Sequence, residues 1–246
     1  MRTIKLTIAY DGTNFKGWQI QPNARTVQEE IEKAIEKVFR SRVKVYSASR
    51  TDAGVHAKAQ TAHFKLKHIN IPGQKIKVAL NSILPEDIVI KKSEYVQDDF
   101  HARFNAVSKV YRYFIYNSVS RDPFLERYSW RVGYKLDIKR MNSAACTLLG
   151  RHDFKSFQAV DKKRKNFSVR EVKDLKVIKK NSHIIIQIEA DGFLYNMVRN
   201  IAGTLVDVAR GYIKEDGILE ILLSRDRRKA GVTAPPKGLF LMKVNY

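Results

Sequence analysis

Ser47-Ala48-Ser49-Arg50-Thr51-Asp52-Ala53-Gly54-Val55-His56-Ala57 follows a short β-branched run, Val43, Val45 and Tyr46, and leads into a second through Gln60, Ala62 and Phe64. Thr-Asp-Ala-Gly is turn chemistry: Asp bonds its own backbone readily, and Gly54 takes the positive φ of a tight turn. One carboxylate, Asp52, is therefore held on a short loop beside the Arg50 guanidinium and the His56 imidazole. The local chemistry leaves two readings. Asp52 is a turn residue bonded to its own backbone, or it is an anion kept ionised by neighbouring cations and available as a nucleophile.

Working outward, Ile4, Leu6, Ile8 and Tyr10 alternate with polar or small residues, the pattern of a half-buried strand. A loop carrying Phe15 and Trp18 comes next. Thr26-Val27-Gln28-Glu29 reads as a capping box opening a helix whose apolar face is Val27, Ile31, Ala34, Ile35 and Val38. Beyond the loop, Pro72 opens a second helix through Leu80, Pro85 closes it, and Ile88 to Val96 form another strand. The order strand, helix, strand, strand, helix, strand is that of a ferredoxin-like unit.

After Asp99-Phe100-His101-Ala102-Arg103-Phe104 the pattern restarts. Val107, Lys109, Tyr111, Tyr113 and Ile115 share one strand face. A strand near Tyr128 to Val132 and a helix from Asp137 to Leu149 follow, with the single cysteine, Cys146, expected in the core. Strands at 169–177 and 184–188 meet near Lys180-Asn181-Ser182. The longest helix is expected over Phe193 to Arg210, with Asn196, Arg199, Asn200, Gly203, Asp207 and Arg210 on a polar stripe that is either solvated or lines a groove. The expected fold is α+β: two ferredoxin-like, RRM-like halves, 1–105 and 106–246, with mainly antiparallel sheets flanking a central active-site cleft.

The 46 Lys and Arg against 25 Asp and Glu give a formal net charge of +21, spread along the whole chain. A folded, uniformly basic protein points to a polyanionic partner. The clusters Lys162-Lys163-Arg164-Lys165 and Arg225-Asp226-Arg227-Arg228-Lys229 read as phosphate contacts or as solvated loops. One cysteine excludes an intramolecular disulfide. No apolar run reaches membrane-spanning length and the N-terminus already alternates as a strand, so a cytoplasmic protein without membrane contact is expected. The six histidines lack metal-ligand spacing, and no Walker loop, dinucleotide fingerprint or zinc-deaminase pattern occurs. A non-catalytic RNA binder would need no ionised Asp beside an Arg, and a metal-dependent hydrolase would need clustered carboxylates.

Arg50-Thr51-Asp52-Ala53-Gly54-Val55-His56 resembles the signature loop of the TruA family of tRNA pseudouridine synthases. The resemblance extends in order through Tyr10-Asp11-Gly12, Arg25-Thr26-Val27-Gln28, Phe100-His101-Ala102-Arg103-Phe104, Tyr111-Arg112-Tyr113 and Gly150-Arg151-His152-Asp153-Phe154. It ends with Phe193-Leu194-Tyr195-Asn196-Met197-Val198-Arg199 and Thr233-Ala234-Pro235 with Gly238-Leu239. Ser49 departs from the family's usual Gly before the Arg. The resemblance implies that Asp52 is the catalytic aspartate, Arg199 its partner, and Tyr111 a ring beside the target base. Leu239 would pack beneath the base, and Arg50, Arg103 and His56 would contact the substrate. It further implies a homodimer needing neither metal nor cofactor. The substrates would be uridines 38 to 40 of the tRNA anticodon stem-loop.

Overall fold

Ile4, Leu6, Ile8 and Tyr10 are all at most 5% exposed, so strand β1 (Arg2–Tyr10) buries the face its alternation marks. The structure, a computed structural model, describes residues 1–67, 69–159 and 167–246. Ten strands and five α-helices lie among the described residues, with mostly antiparallel pairing. They fall into two units, Met1–Val107 with Phe240–Tyr246, and Ser108–Leu239.

In the first unit β1 lies between β3 (His56–Leu66) and β4 (Ile88–Val96), antiparallel to both, with Ile4 opposite Phe64 and Tyr95. Helices α1 (Val27–Phe39) and α2 (Gly73–Asn81) supply Ile31, Ile35, Ile76 and Leu80, none of them exposed. Each such side chain contributes about 1.5–3 kcal/mol of burial. Strand β2 shrinks to Tyr46–Ser47, opposite His63 and Ala62. The reason lies in α1: Glu32 accepts the Val45 N–H at 2.8 Å and Gln28 donates to the Val45 carbonyl at 3.2 Å, occupying groups a longer ladder needs.

Helix α1 starts where the sequence places it, but the capping box does not form. Thr26 makes no side-chain cap, and Glu29 pairs with Lys33 at 2.7 Å. The first helical N–H groups, Val27 and Gln28, donate instead to the carbonyls of Gly17 and Trp18, at 3.2 and 3.0 Å. Backbone from a neighbouring loop has taken the orphan donors that a cap would satisfy.

The second unit has the strand order β5 (Ser108–Asn117), β9 (His183–Ala190), β8 (Val169–Lys180), β7 (Gly150–Asp153), with β6 (Trp130–Val132) parallel to β5. Asn181, at φ 53°, closes the expected hairpin between β8 and β9. Helix α3 (Ile138–Cys146) is capped by Asp137, which accepts from the Lys139 and Arg140 amides. It buries Met141, Ala144 and Ala145 and leaves Cys146 exposed, correcting the core placement of the thiol. Helix α4 (Met197–Ala209) begins four residues later than expected, because Asn196 sits in the left-handed region at φ 59°. Helix α5 (Gly217–Ser224) follows. The last strand, β10 (Leu239–Asn245), was expected in the second half. It runs parallel to β3, Phe240 opposite His56, so residues 240–246 belong to the first unit.

Candidate active site

The Asp52 loop is built mainly by main-chain contacts. The Thr51 carbonyl accepts the Trp18 N–H at 3.0 Å, the Phe15 carbonyl accepts the Gly54 N–H at 3.3 Å, and the Asp52 carbonyl accepts the Val55 N–H at 3.1 Å. Gly54 adopts φ 75°, as the turn requires. Phe15 and Trp18, each 2% exposed, anchor the strap that supplies these groups. Gly12 lies against the far side: a Cβ there would stand 2.0 Å from the Val55 carbonyl oxygen.

Side chains complete the frame. Tyr10 and Thr51 share a 2.7 Å hydroxyl hydrogen bond. Burial pushes the Tyr10 hydroxyl up to about 12, against smaller opposing contributions from Thr51 and Gln60, so it stays protonated. The Gln60 amide clasps Ser49, donating to its carbonyl at 2.7 Å and accepting its N–H at 3.3 Å. Ser49 is not among the positive-φ residues, which explains why serine fits where the resembling family usually has glycine. Arg25 grips Asp87 through both terminal nitrogens, at 2.7 and 2.9 Å, and covers the Phe15 ring at 4.2 Å.

On this frame Asp52 is half-buried and Arg50 exposed. His56 is different. Its ring is 1% exposed and stacks on Phe240 at 4.5 Å. Its Nδ1 accepts the Gly12 N–H at 3.1 Å and lies 3.1 Å from an Asp11 carboxylate oxygen. That position braces the loop from behind. Arg103 is exposed on the turn after Phe100, away in sequence from the loop.

In the second unit Arg199 stands in the first turn of α4. Its Nε donates to the Ala234 carbonyl at 2.7 Å and its Nη1 to the Asn196 side chain at 3.0 Å, while the Ala234 N–H returns to the Arg199 carbonyl at 3.1 Å. The middle of the polar stripe of α4 is covered: Asn200 and its neighbour Thr204 have no exposed surface, while Asn196, Arg199 and Arg210 are half-buried. Residues 227–234 cover it. Asn200 donates to the Phe157 carbonyl at 2.7 Å and accepts from Arg227 at 3.0 Å and Thr233 at 2.7 Å. Thr204 accepts the Gly231 N–H, and Asp207 accepts the Val232 N–H. Gly203 permits the approach, since a Cβ there would meet the Val232 oxygen at 1.7 Å.

This accounts for much of the second basic cluster. Arg227 turns inward, and desolvation lowers its pKa. Arg228 is chelated by Asp226, and Arg225 pairs with Asp153 at 2.9 Å. The cluster Lys162, Lys163, Arg164 and Lys165 lies outside the described residues.

Tyr111 on β5 is 5% exposed and meets the edge of Phe193 at 5.0 Å. Tyr113, two residues on, donates to the Pro235 carbonyl at 2.7 Å, and burial raises its pKa against the opposing charge of Arg199. Leu239, at the end of the same covering segment, is 6% exposed. The sequence reading missed Gln60, Asn200 and Arg227 as organising groups. Each has a partner for its side chain eleven or more positions away, Ser49 for Gln60, Phe157 for Asn200 and Asn200 for Arg227. Among the described residues no group of three or more His, Cys, Asp and Glu side chains is placed to hold a metal, and no helix is long and apolar enough to cross a membrane.

The family described as tRNA pseudouridine synthase matches residues 6–105 and 144–246. A protein of Thermoanaerobacter sp. (strain X514) named tRNA pseudouridine synthase A is 50% identical over 246 residues, covering 100% of both chains. A tRNA pseudouridine synthase A 2 from Clostridium perfringens (strain 13 / Type A) is also 50% identical, over 247 residues and 100% of each. The tRNA pseudouridine synthase A of Bacillus velezensis (strain DSM 23117 / BGSC 10A6 / LMG 26770 / FZB42) is 45% identical, over 99% of this chain and 98% of its own. The chain belongs to the tRNA pseudouridine synthase family, isomerases that act on tRNA.

Proposed function

We propose that this protein converts uridine to pseudouridine at positions 38, 39 and 40 in the anticodon stem-loop of tRNAs, with Asp52 as the catalytic group. The observation carrying the reading is a half-buried Asp52 held on a loop whose main chain is tied on both sides. Fixed placement of one reacting group is what an isomerisation within a single nucleotide needs. The N1–C1′ bond of uridine breaks and a C5–C1′ bond forms. The C5 proton leaves to solvent and N1 gains one, so nothing else is consumed. Asp52 attacks the sugar, attacks the ring, or removes a sugar proton.

Arg199 is assigned the pairing with Asp52 that the family motif implies, keeping the carboxylate ionised once water is expelled. Tyr111 takes the face of the extruded base, a contact worth about 1–3 kcal/mol per base stacked, and Leu239 packs beneath it. Arg50 and Arg103 hold phosphates, and His56 serves by bracing the loop. The enzyme works in the cytoplasm as a homodimer bridged by tRNA, without metal or cofactor. The net charge of +21 supports the polyanionic substrate.

The test is Asp52→Asn, which keeps volume and hydrogen bonding but removes the charge. Tritium release from tRNA labelled at uridine C5 should vanish, while thermal melting and tRNA binding persist. Asp52→Glu should be nearly as inactive, because a displacement of about 1 Å can cost a hundredfold. A folded Asp52→Asn protein that releases tritium normally would return Asp52 to the role of a turn residue.

A further inference from the structure

The first unit carries a second organised cluster, made of rings rather than carboxylates. Phe104 is 76% exposed, yet its ring is fixed, stacked on His101 at 4.2 Å with 29° between planes. His101 in turn meets His63 at 4.7 Å and Tyr46 at 5.6 Å, and Tyr46, 42% exposed, stacks on His63 at 5.2 Å.

The turn beneath Phe104 is rigidly tied. His101 Nδ1 accepts the N–H groups of Arg103 and Phe104, at 3.1 and 3.3 Å. The Asn105 side chain accepts the His101 N–H at 2.6 Å, and the Asn105 N–H returns to the His101 carbonyl at 3.0 Å. Tyr246 donates to the Ala102 carbonyl at 2.8 Å, and the Ala102 N–H goes to His63 Nδ1 at 3.1 Å. Burial and the nearby Arg103 charge lower the His101 pKa, which keeps the ring a neutral acceptor. A core residue has no need of such a scaffold, and an incidental surface phenylalanine would not be held by one.

Cations surround the rings. The Arg103 guanidinium lies over the Phe104 ring, 5.8 Å from its centroid, and the Lys44 ammonium over that of Tyr46 at 5.5 Å, both at exposed positions from which a base could displace them. Exposed flat rings among positive charges match one ligand chemistry closely: a nucleobase with its flanking phosphates. We propose that Phe104 on His101, with Tyr46 beside it, is a stacking platform for an unpaired base of the bound tRNA, a contact additional to the isomerising site. The inference rests on tRNA being the substrate.

The experiment is a substitution series at Phe104 read by tRNA affinity and by tritium release under saturating tRNA. Phe104→Ala should weaken binding by about tenfold, the lower part of the range expected for one stacked base, with kcat unchanged. Phe104→Trp should restore affinity to within about twofold because a π-face returns, and Phe104→Leu should behave like Ala. Arg103→Gln should lower the salt slope of binding by about one phosphate, which Phe104→Ala should leave unaltered. Full affinity in Phe104→Ala, or rescue by Leu, overturns the platform. So does a change in oligomeric state without a change in affinity, which would make the patch a contact between copies. Wild-type tritium release decides the isomerase reading separately: intact release with full-affinity Phe104→Ala removes only the platform, whereas no release from wild type removes the reading beneath it.

Discussion

Around Asp52 the ordering contacts run mostly from main chain to main chain, while on α4 the side chains of Asn200 and Thr204 are met by segments 27 to 43 positions away. The first arrangement leaves its charged residue half-buried. The second draws polar residues of a helix inward and satisfies them one by one against residues 227–234. Buried polar groups are tolerable only when paired, and Asn200 shows the limit: three partners and no exposed surface. A main-chain frame holds geometry independently of most side-chain changes, whereas a side-chain network fails when one member is lost.

The largest expected effects come from the two close approaches. Gly12→Ala places a Cβ 2.0 Å from the Val55 oxygen, and Gly203→Ala places one 1.7 Å from the Val232 oxygen. Both should lose about 3 kcal/mol of stability, since backbone must move in each. They should differ in activity. Gly12→Ala shifts the Asp52 loop itself and should lower kcat by about a hundredfold at temperatures where it remains folded. Gly203→Ala should lower it much less. Equal kcat losses in the two variants would break the contrast between a frame that sets Asp52 and a cover that stabilises a helix.

Next in size is Asn200→Ala. It removes the donor to the Phe157 carbonyl and the acceptor shared by the Thr233 hydroxyl and Arg227, leaving Arg227 its bonds to Ala230 and Thr233, and should cost about 2 kcal/mol in chemical denaturation. Because Ala234 is the acceptor for Arg199 Nε, loosening the covering segment should also reduce kcat. Asn200→Ala with unchanged stability would mean that water replaces the amide without loss.

Last comes a pH window confined to the first unit, without effect at neutral pH. Burial above all, followed by repulsion from His101 when that ring is protonated and from Lys65, lowers the His63 pKa from 6.5 to about 4. The unfolded chain therefore takes up this proton first as pH falls. The stability tied to neutral His63 is complete above pH 6.5, declines as pH falls, and is lost near pH 4. Amide exchange should quicken in the first unit over that interval before it does in the second. His63→Gln, which retains an acceptor for the Ala102 N–H, should flatten the dependence.

Legibility followed the range of the interactions. The turn at Gly54, the alternation of β1 and the hairpin at Asn181 depend on residue types within a few positions of one another. Local residue order was enough to read them. The family resemblance, carried by ordered short motifs, marked Asp52 and Arg199 without explaining what holds either. Misreadings arose where a distant segment took over a local role. Thr26 has the residue type of a cap, but the Gly17 and Trp18 carbonyls reach the helix first. Val43 to Tyr46 has strand propensity, but Glu32 and Gln28 occupy the Val45 backbone.

By itself, the sequence determined the strand and helix order of the first unit, the strongly positive net charge and the tight turn at Gly54. These follow from residue type and spacing, and none depends on which segments meet. Tertiary structure alone decided that the middle of the polar stripe of α4 is internal, that Arg227 is a clamp, and that the C-terminal strand pairs with β3. It also decided that Phe104 stands ordered on His101. Periodicity reports that one face of a helix is polar, but whether water or another segment satisfies that face depends on a free-energy balance between chain parts far apart in sequence.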